Sequence, residues 1–420
     1  MLAFQHVFAF MGATVLVPLL TGLSISTALF GAGFGTLIFH GITKRKVPMF
    51  LGSSFAYIGG ILAVTEGGTQ LENLPYACAA IAFSGLVYVA LSILISIFTI
   101  ERVMKFFPPY VTAPMVMAIG IILMPSAVNN CETNWPLALI TFGAVVIINI
   151  WGKGLVKKMP ILIGLIISYI VALAMGVVDT TGIKEAAWIG LPVHTANMGL
   201  FAIDFSAKFA KAFFAIFFIS IATCMEHIGD ASAVSATTGK DYLRDPGLHR
   251  TLLGDGIATI FAGLIGAPAN TSYGENTGVL TITKVFDPFV IRLSAVFAII
   301  LSFCPKFDAL ICSVPAANVG GISLMLYGMI SIIGVKNLIK NKVDYDNTRN
   351  LIITIIVFFG SLAVDKIGGI PIPIGSTTIT ITALAFGAIA GILMNIILPG
   401  ESTEFGQNQE GDEHRGIHID

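Results

Sequence analysis

Long apolar stretches alternate with short polar ones along nearly the whole chain. A transmembrane helix needs about 20 consecutive, mostly apolar residues, and segments of that kind recur as far as residue 398. The pattern predicts an all-α polytopic membrane protein with fourteen membrane-crossing segments, here called spans. We place the spans at 2–20, 25–42, 47–65, 75–99, 110–128, 135–152, 160–178, 208–233, 251–267, 268–284, 287–304, 314–338, 349–365 and 377–398.

Two of these spans, the third and the tenth, are poor continuous helices. The tenth opens at Pro268, is loosened by Gly274 and Gly278, and carries the acid Glu275. A broken, polar segment at membrane depth is tolerated only where it is buried in protein or lines a cavity. Each broken span is the third span of its half of the chain. Because seven is an odd number of spans, the second half must be inserted upside down relative to the first. Interrupted segments at matching places in inverted repeats point to a transporter's binding site.

The centres of the two broken spans also match locally. We align 53–55 (Ser-Ser-Phe) with 271–273 (Thr-Ser-Tyr). This match at the expected place favours a secondary transporter whose site lies between the two segments.

Composition and charge support the membrane assignment. Of the 420 residues, 55% are hydrophobic and 11% charged, against about 25% charged in soluble domains, and the mean hydropathy is +0.89. Eighteen of the 23 Lys and Arg residues fall on the side of the even-numbered loops. That bias predicts that this side and both termini are cytoplasmic. The lipid bilayer of the cytoplasmic membrane is thus an expected partner, and the hydrophilic tail 400–420 is expected to be disordered.

Other features narrow the class of function. The five cysteines form no CxxC pair, so neither a disulfide framework nor a metal site is predicted. There is no Walker sequence, no nucleophile–base pair and no nucleic-acid signature. We therefore predict no enzyme and no cofactor, with coupling to protons or, alternatively, to Na⁺. The first span starts at Leu2 without a basic segment ahead of it, so we expect no signal peptide and a missing short leader.

The eighth span carries the densest group of candidate residues. Glu226 and Asp230 are four apart and share one helix face, and His227 lies beside them. No Lys or Arg in this span neutralises them. Either one carboxyl group is protonated, or both face water and ligand, or the pair lies at a solvated helix end. His227 is either a proton-handling group or a hydrogen-bonded packing residue.

Other polar residues at membrane depth have alternative interpretations as well. Glu275 is either a ligand carboxylate or a satisfied carboxylate that bridges two helices. Asp255 either lies behind the binding residues or is a helix-end charge, and His6 with Gln5 is expected to be structural or to lie behind the site.

The chemistry of these groups suggests a ligand. Glu226 and Glu275 accept hydrogen bonds, the N–H groups at the start of two half-helices donate them, and Phe55 and Tyr273 can stack on a planar ring. A small heteroaromatic with both N–H and C=O groups meets these demands, and uracil is the simplest. An anion such as sulfate does not.

Several motifs carry a family resemblance over nearly the whole chain. They are FQHVFAFMGATVLVP (4–18), LGSSFAY (51–57), EHIGD (226–230), LRDPGLHR (243–250), NTSYGENTGV (270–279), GGISLMLYG (320–328) and KVDYDNTRN (342–350). With these motifs the chain resembles the nucleobase–cation symporters of the nucleobase–ascorbate type and is most similar to the bacterial uracil permeases.

The resemblance implies a seven-plus-seven inverted repeat that works by alternating access, often as a homodimer. Its core domain would hold spans 1–4 (residues 1–100) and 8–11 (207–305). Its gate domain would hold spans 5–7 (101–206) and 12–14 (306–399). The short polar pieces of spans 3 and 10 would be β-strands.

The resemblance also implies roles at the binding site. Glu226 would accept from the ring N–H and Glu275 would be the second substrate carboxylate. Backbone N–H groups at Phe55 and Gly274 would meet the substrate carbonyls, and Tyr273 with Phe55 would shape the pocket.

Further residues would act around that pocket. Tyr327 would join the proton network, in which Glu226, Asp230, Glu275 and His227 are the other expected members. We expect Asn276, Asp255 and Ser54 to lie behind the substrate contacts.

One departure leaves the substrate open. Uracil permeases often carry histidine where this chain has Asp230, and an aspartate there, like Asp255, is frequent in purine-transporting relatives. Those relatives usually have glutamine–asparagine where this chain has Glu275 and Asn276. Uracil:proton symport is the main prediction, and a xanthine or dual uracil–xanthine permease is the alternative. A channel or a nucleobase sensor is a third, different class.

Overall fold

The structure is a computed structural model that describes residues 2–98, 102–103, 105–154, 156–204, 206–374 and 377–400. Helices dominate it, since a chain in a bilayer must satisfy its backbone hydrogen bonds internally. The helices are α1 Leu2–Thr21, α2 Ile25–Ile42, α3 Ile58–Val64, α4 Leu74–Ile97, α5 Pro109–Glu132, α6 Trp135–Trp151, α7 Pro160–Ala174, α8 Thr181–Glu185, α9 Ala207–Ile216, α10 Ile219–Thr238, α11 Leu248–Ile265, α12 Gly274–Thr283, α13 Pro288–Ser302, α14 Pro305–Cys312, α15 Ala316–Lys340, α16 Thr348–Lys366 and α17 Ala383–Ile397. The strands are β1 Leu51–Ser53, β2 Asn270–Ser272, β3 Ile370–Ile374 and β4 Thr377–Ile381.

Many helical segments have the length and composition of membrane spans. In the described part of the chain, seven are long and apolar enough to cross a bilayer, and an eighth results if α13 and α14, bent by 83°, count as one broken span. The seven are Ala3–Thr21, Ile25–Ile42, Leu71–Ile97, Pro109–Glu132, Ala207–Thr238, Ala316–Lys340 and Thr348–Lys366. The protein is therefore a mostly helical, multi-pass membrane protein.

The helices pack in two sets. In one set, α11 lies against both α4 and α2, and α2 also packs on α13. The α4–α11 contact is close: a Cβ added to Gly263 would lie 2.5 Å from the backbone of Ala82 and Cys78, as is typical of helices joined by small residues in membranes. In the other set, α5 packs on α15, and α16 on α17. The division into core and gate domains stays a prediction.

The last predicted span begins too early. Residues 377–381 are the strand β4, which pairs with β3 as an antiparallel hairpin, and the helix α17 starts only at Ala383. The sequence TTITI alternates β-branched threonine and isoleucine, which favours a strand, yet it is apolar enough to be counted with the helix. The described chain therefore has four short strands, where the sequence predicted two.

The polar stretch between the halves, 179–206, is fastened to the first helix set. The hydroxyl of Thr27 on α2 donates to the carbonyl of Pro192, 2.6 Å away, and the N–H of Gly190 donates to Phe303 O at 3.0 Å. Because these bonds tie the connection to α2 and the end of α13, it follows the surface of that helix set.

Candidate functional site

The two interrupted segments meet as a pair of antiparallel strands, β1 and β2. The N–H of the residue after each strand donates to a carbonyl ahead of the other: Ser54 to Ala269 at 2.9 Å, and Tyr273 to Phe50 at 3.0 Å. The pairing satisfies backbone groups that a broken helix would otherwise leave unbonded at membrane depth.

A local twofold axis passes through the central strand pair, Gly52 and Thr271. It exchanges Ser53 with Ser272, so residues 53–55 correspond to 272–274. The alignment of 53–55 with 271–273 made from the sequence is thus wrong by one residue. Adjacent serines and threonines allow both registers, and only the strand pairing distinguishes them.

Each strand leads directly into a helix whose first turn faces the strand pair. A 3₁₀ turn at Phe55–Tyr57 precedes α3, and α12 begins at Gly274. Because the strands are antiparallel, the two helices run in opposite directions away from the β1–β2 pair. Their N-termini, each with free N–H groups and partial positive charge, therefore lie on either side of it.

Helix α10 brings its acidic residues alongside β2. Glu226 is exposed, Asp230 is half-buried and His227 is fully buried. The two carboxylates share the helix face that the spacing predicted, whereas His227 points into the protein.

Asp230 contacts the start of α12. The hydroxyl of Ser272 donates to its Oδ2 at 2.6 Å, and a Cβ added to Gly274 would lie 3.8 Å from its Oδ1. The carboxylate thus lies beside the positive end of the half-helix.

Tyr273 reaches back over β1. Its hydroxyl donates to the carbonyl of Ser53 at 2.9 Å and accepts from Thr14 on α1 at 3.2 Å. The ring covers Gly52, where an added Cβ would lie 2.5 Å from Cε2 and Cζ of the ring. Glycine at position 52 is what lets the ring lie on the strand.

His227 and Asp255 form a buried pair. Nδ1 of His227 lies 2.8 Å from Oδ2 of Asp255, and both side chains are fully buried. Nearby on α4, the hydroxyl of Tyr88 donates to Thr223 of α10 at 2.6 Å. The structure brings together two residues that the sequence had only placed in separate apolar spans.

Asn276 faces α1. Its Nδ2 lies 3.3 Å from Nδ1 of His6, and both side chains are buried. The contact links the first turn of α12 to the first helix.

The remaining predicted residues are distributed as follows. Phe55 is half-buried, and Ser54 is fully buried with no hydrogen-bond partner for its hydroxyl among the described residues. Tyr327 is fully buried on α15, in the other helix set. Glu275 lies in the first turn of α12, but its side chain, and so its predicted carboxylate contact, falls outside what the structure describes.

A cavity of about 220 Å³ opens beside the start of α12. It lies between α1 and α12 on one side and α7 and α15 on the other. Its lining includes Phe8, Gly12, Gly274, Gly278, Met329 and Lys157.

The sequence does not identify Thr14 and Ser272 as hydrogen-bond partners of Tyr273 and Asp230, because neither hydroxyl is unusual in an apolar chain. Among the described residues there is no group of three or more His, Cys, Asp or Glu side chains that could hold a metal ion.

Solved structures with the same fold are membrane transporters. The chain is similar to the transmembrane domain of the cyanobacterial bicarbonate transporter BicA, with a TM-score of 0.64 and 16% identity, covering 87% of this chain and 95% of that one. It is also similar to the murine anion transporter Slc26a9 in its inward-facing state, with a TM-score of 0.66 and 11% identity, covering 94% and 67%. These likenesses define the fold class.

The Permease family profile matches residues 1–367, and the chain belongs to this family. The chain is thus a transporter and not an enzyme.

Full-length relatives support the membership. The probable uracil permease of Haemophilus influenzae is 38% identical over 411 residues, 95% of this chain and 94% of that one. The uracil permease of Bacillus subtilis is 38% identical over 97% of this chain and 94% of its own length. That of Escherichia coli K12 is 34% identical over 94% and 90%.

Proposed function

We propose that this protein imports uracil together with protons across the cytoplasmic membrane. The observation that carries the proposal is the pairing of β1 with β2, each of which leads into a helix, with Asp230 of α10 at the start of the second of these helices. The names of the relatives, uracil permeases at 34–39% identity, support the same substrate.

The site suits a ring that alternates C=O and N–H groups. The backbone N–H groups at Phe55 and Gly274, each in the first turn after a strand, would donate to the two carbonyls. Glu226, exposed on α10, and Glu275 would accept from the ring N–H groups. Tyr273, held over β1 by its hydroxyl, would bound the pocket with its ring.

Transport would proceed by alternating access. In this proposal fourteen spans form two inverted repeats, a core domain of spans 1–4 and 8–11 moves against a gate domain of spans 5–7 and 12–14, and both termini are cytoplasmic. The cavity between α1, α12, α7 and α15 would lie on that boundary. Homodimerisation is part of the same expectation.

Proton coupling would involve the acidic groups at the site. Glu226, Asp230 and Glu275 are the candidates for the proton carrier, with His227 and Tyr327 as neighbours in the network. No cofactor is required, and Na⁺ is the alternative coupling ion.

A second candidate, a xanthine or dual-specificity permease of the same fold, is favoured by one observation. Asp230, which replaces the histidine expected in uracil permeases, lies within hydrogen-bonding distance of Ser272 at the edge of the site. Compared with a histidine, a carboxylate at position 230 gives the site a negative charge and removes a hydrogen-bond donor that a ligand could use.

Ligand-induced stabilisation of the purified protein tests the substrate directly, because a ligand that binds only the folded state raises its stability. We expect uracil to raise the Tm of the wild type and not that of Glu226→Gln, whereas Glu132→Gln, exposed at the end of α5, should respond normally. Stabilisation by xanthine but not by uracil would favour the second candidate.

A further inference from the structure

One hydrogen bond joins α10 to the strand that begins the second half-helix. The hydroxyl of Ser272, buried at 3% exposure, donates to Oδ2 of Asp230 at 2.6 Å. When the acceptor is an ionised carboxylate, such a hydrogen bond is about twice as strong as a neutral one.

The same carboxylate lies at the N-terminus of α12. Tyr273 precedes the helix and makes no side-chain hydrogen bond to the helix N–H groups, and Oδ1 of Asp230 is 3.8 Å from the point where a Cβ on Gly274 would lie. A negative charge at this place is stabilised by the helix dipole. Asp230 therefore supplies from α10 the charge that α12 does not receive from its own capping residue.

We propose that Asp230 and Ser272 are a positioning pair that fixes the first turn of α12 against α10, with Asp230 remaining a carboxylate rather than carrying the coupling proton. The pair holds the N–H of Gly274 in register with Glu226, which lies one turn before Asp230 on the same helix face. The inference rests on the proposed function, since these are the groups that would hold uracil. It narrows the candidates for the proton carrier to Glu226 and Glu275.

The other titratable groups near Asp230 bear on whether it stays a carboxylate. Glu226 shares its helix face, and Glu275 follows Gly274 on α12. His227 on the same helix is directed to Asp255 instead. In this proposal Glu226 and Glu275 exchange the proton with the substrate, while Ser272 and the α12 N-terminus stabilise the charge on Asp230.

The test is uracil uptake by Ser272→Ala, Ser272→Thr and Asp230→Asn in cells without a uracil permease of their own. In Ser272→Ala the KM for uracil should rise about tenfold, the effect of losing a hydrogen bond to a charged group, with a smaller change in kcat. Ser272→Thr restores the hydroxyl and should return KM to near the wild-type value. Asp230→Asn keeps an acceptor oxygen for the Ser272 hydroxyl. Because Asp230 does not carry the coupling proton in this proposal, the pH profile of uptake should match that of the wild type.

Ser232→Ala is the matched control, because among the described residues the hydroxyl of Ser232 donates to the carbonyl of Ile228 on its own helix and to no other group. Thermal unfolding of the purified variants gives a readout without uracil: Ser272→Ala should lower the Tm, and Ser272→Thr should restore it. Membrane levels of each variant normalise the uptake.

Different outcomes refute different claims. If the wild type fails to take up uracil, the proposed function fails, and the Tm series still tests the pair. If Ser272→Ala matches Ser232→Ala in both KM and Tm, the pair has no positioning role. A flattened pH profile in Asp230→Asn would make Asp230 the proton carrier and overturn the inference.

Discussion

In β1 the hydroxyl of Ser53 donates to a neutral carbonyl, that of Thr14, at 3.3 Å. In β2 the hydroxyl of Ser272, its counterpart across the twofold, donates to the Asp230 carboxylate at 2.6 Å. Both serines are buried at the end of a three-residue strand that leads into a helix. The two segments therefore share a backbone plan, while the charged partner occurs only in the second.

The same asymmetry recurs along the two strands. Thr271 faces Gly52, its counterpart, which must be glycine because the ring of Tyr273 lies over it. By the same relation Ser54, whose hydroxyl has no partner among the described residues, corresponds to Tyr273. β1 thus serves as a platform for groups contributed by the second broken segment. We expect that removing a side-chain contact of β2 or α12 affects transport more than removing its counterpart in β1.

The largest expected effect comes from Glu275. Glu275→Gln should lower uracil uptake at least about tenfold, because a hydrogen bond to a charged group contributes about 1.5–3 kcal/mol. It should also abolish the pH dependence of the remaining uptake, measured between acidic and neutral external pH. Uptake that keeps its normal pH dependence would remove Glu275 from the coupling.

The second-largest effect is expected from a substitution in β1, at Gly52. In Gly52→Ala the new methyl group would overlap the Tyr273 ring and cost about 1–3 kcal/mol as overpacking. Uracil uptake and Tm should both fall. Gly41→Ala is the control, since an added Cβ there has nothing within 4 Å; equal behaviour of the two variants would contradict the packing of the ring on β1.

A smaller effect, on stability, is expected at the start of β2. The amide of Asn270 donates to the carbonyls of Gly31 and Ala258 at 3.1 and 3.2 Å. Asn270→Leu leaves those carbonyls without this donor. A buried group left unsatisfied lowers the free energy of unfolding by about 1–3 kcal/mol. The Tm in detergent should fall, while the exposed Thr281→Ala should leave it unchanged; an unaltered Tm in both would mean that β2 is not anchored by this side chain.

The smallest effect should occur at Ser53. Removing a long, neutral hydrogen bond in Ser53→Ala should cost no more than about 1.5 kcal/mol, so the KM for uracil should rise clearly less than in Ser272→Ala. Parallel uptake kinetics of the two variants provide the measurement. Equal loss in both would show that the two broken segments are functionally symmetric and would contradict the difference between their serines.

Much of the fold is predictable because the bilayer imposes it. Long apolar runs predict helices, and the interruptions at 47–65 and 268–284 predict the broken segments. The hairpin β3–β4 escapes prediction, because 377–381 is as apolar as a helix and its strand pairing depends on a partner segment.

The candidate site is predictable only where local spacing determines geometry. The spacing of Glu226 and Asp230 gives their common face, since both lie on one helix. The contact between His227 and Asp255, and that between Ser272 and Asp230, join residues distant in sequence, and no local pattern specifies them.

Uracil:proton symport is tested most directly by uptake of radiolabelled uracil in cells lacking their own permease, with and without a protonophore and with excess xanthine. We predict that uracil accumulates against its gradient, that the protonophore abolishes this accumulation and that xanthine leaves it untouched. Accumulation would also exclude a channel or a sensor. Uptake abolished by xanthine, or xanthine uptake without uracil uptake, would contradict this prediction and assign the site to purines.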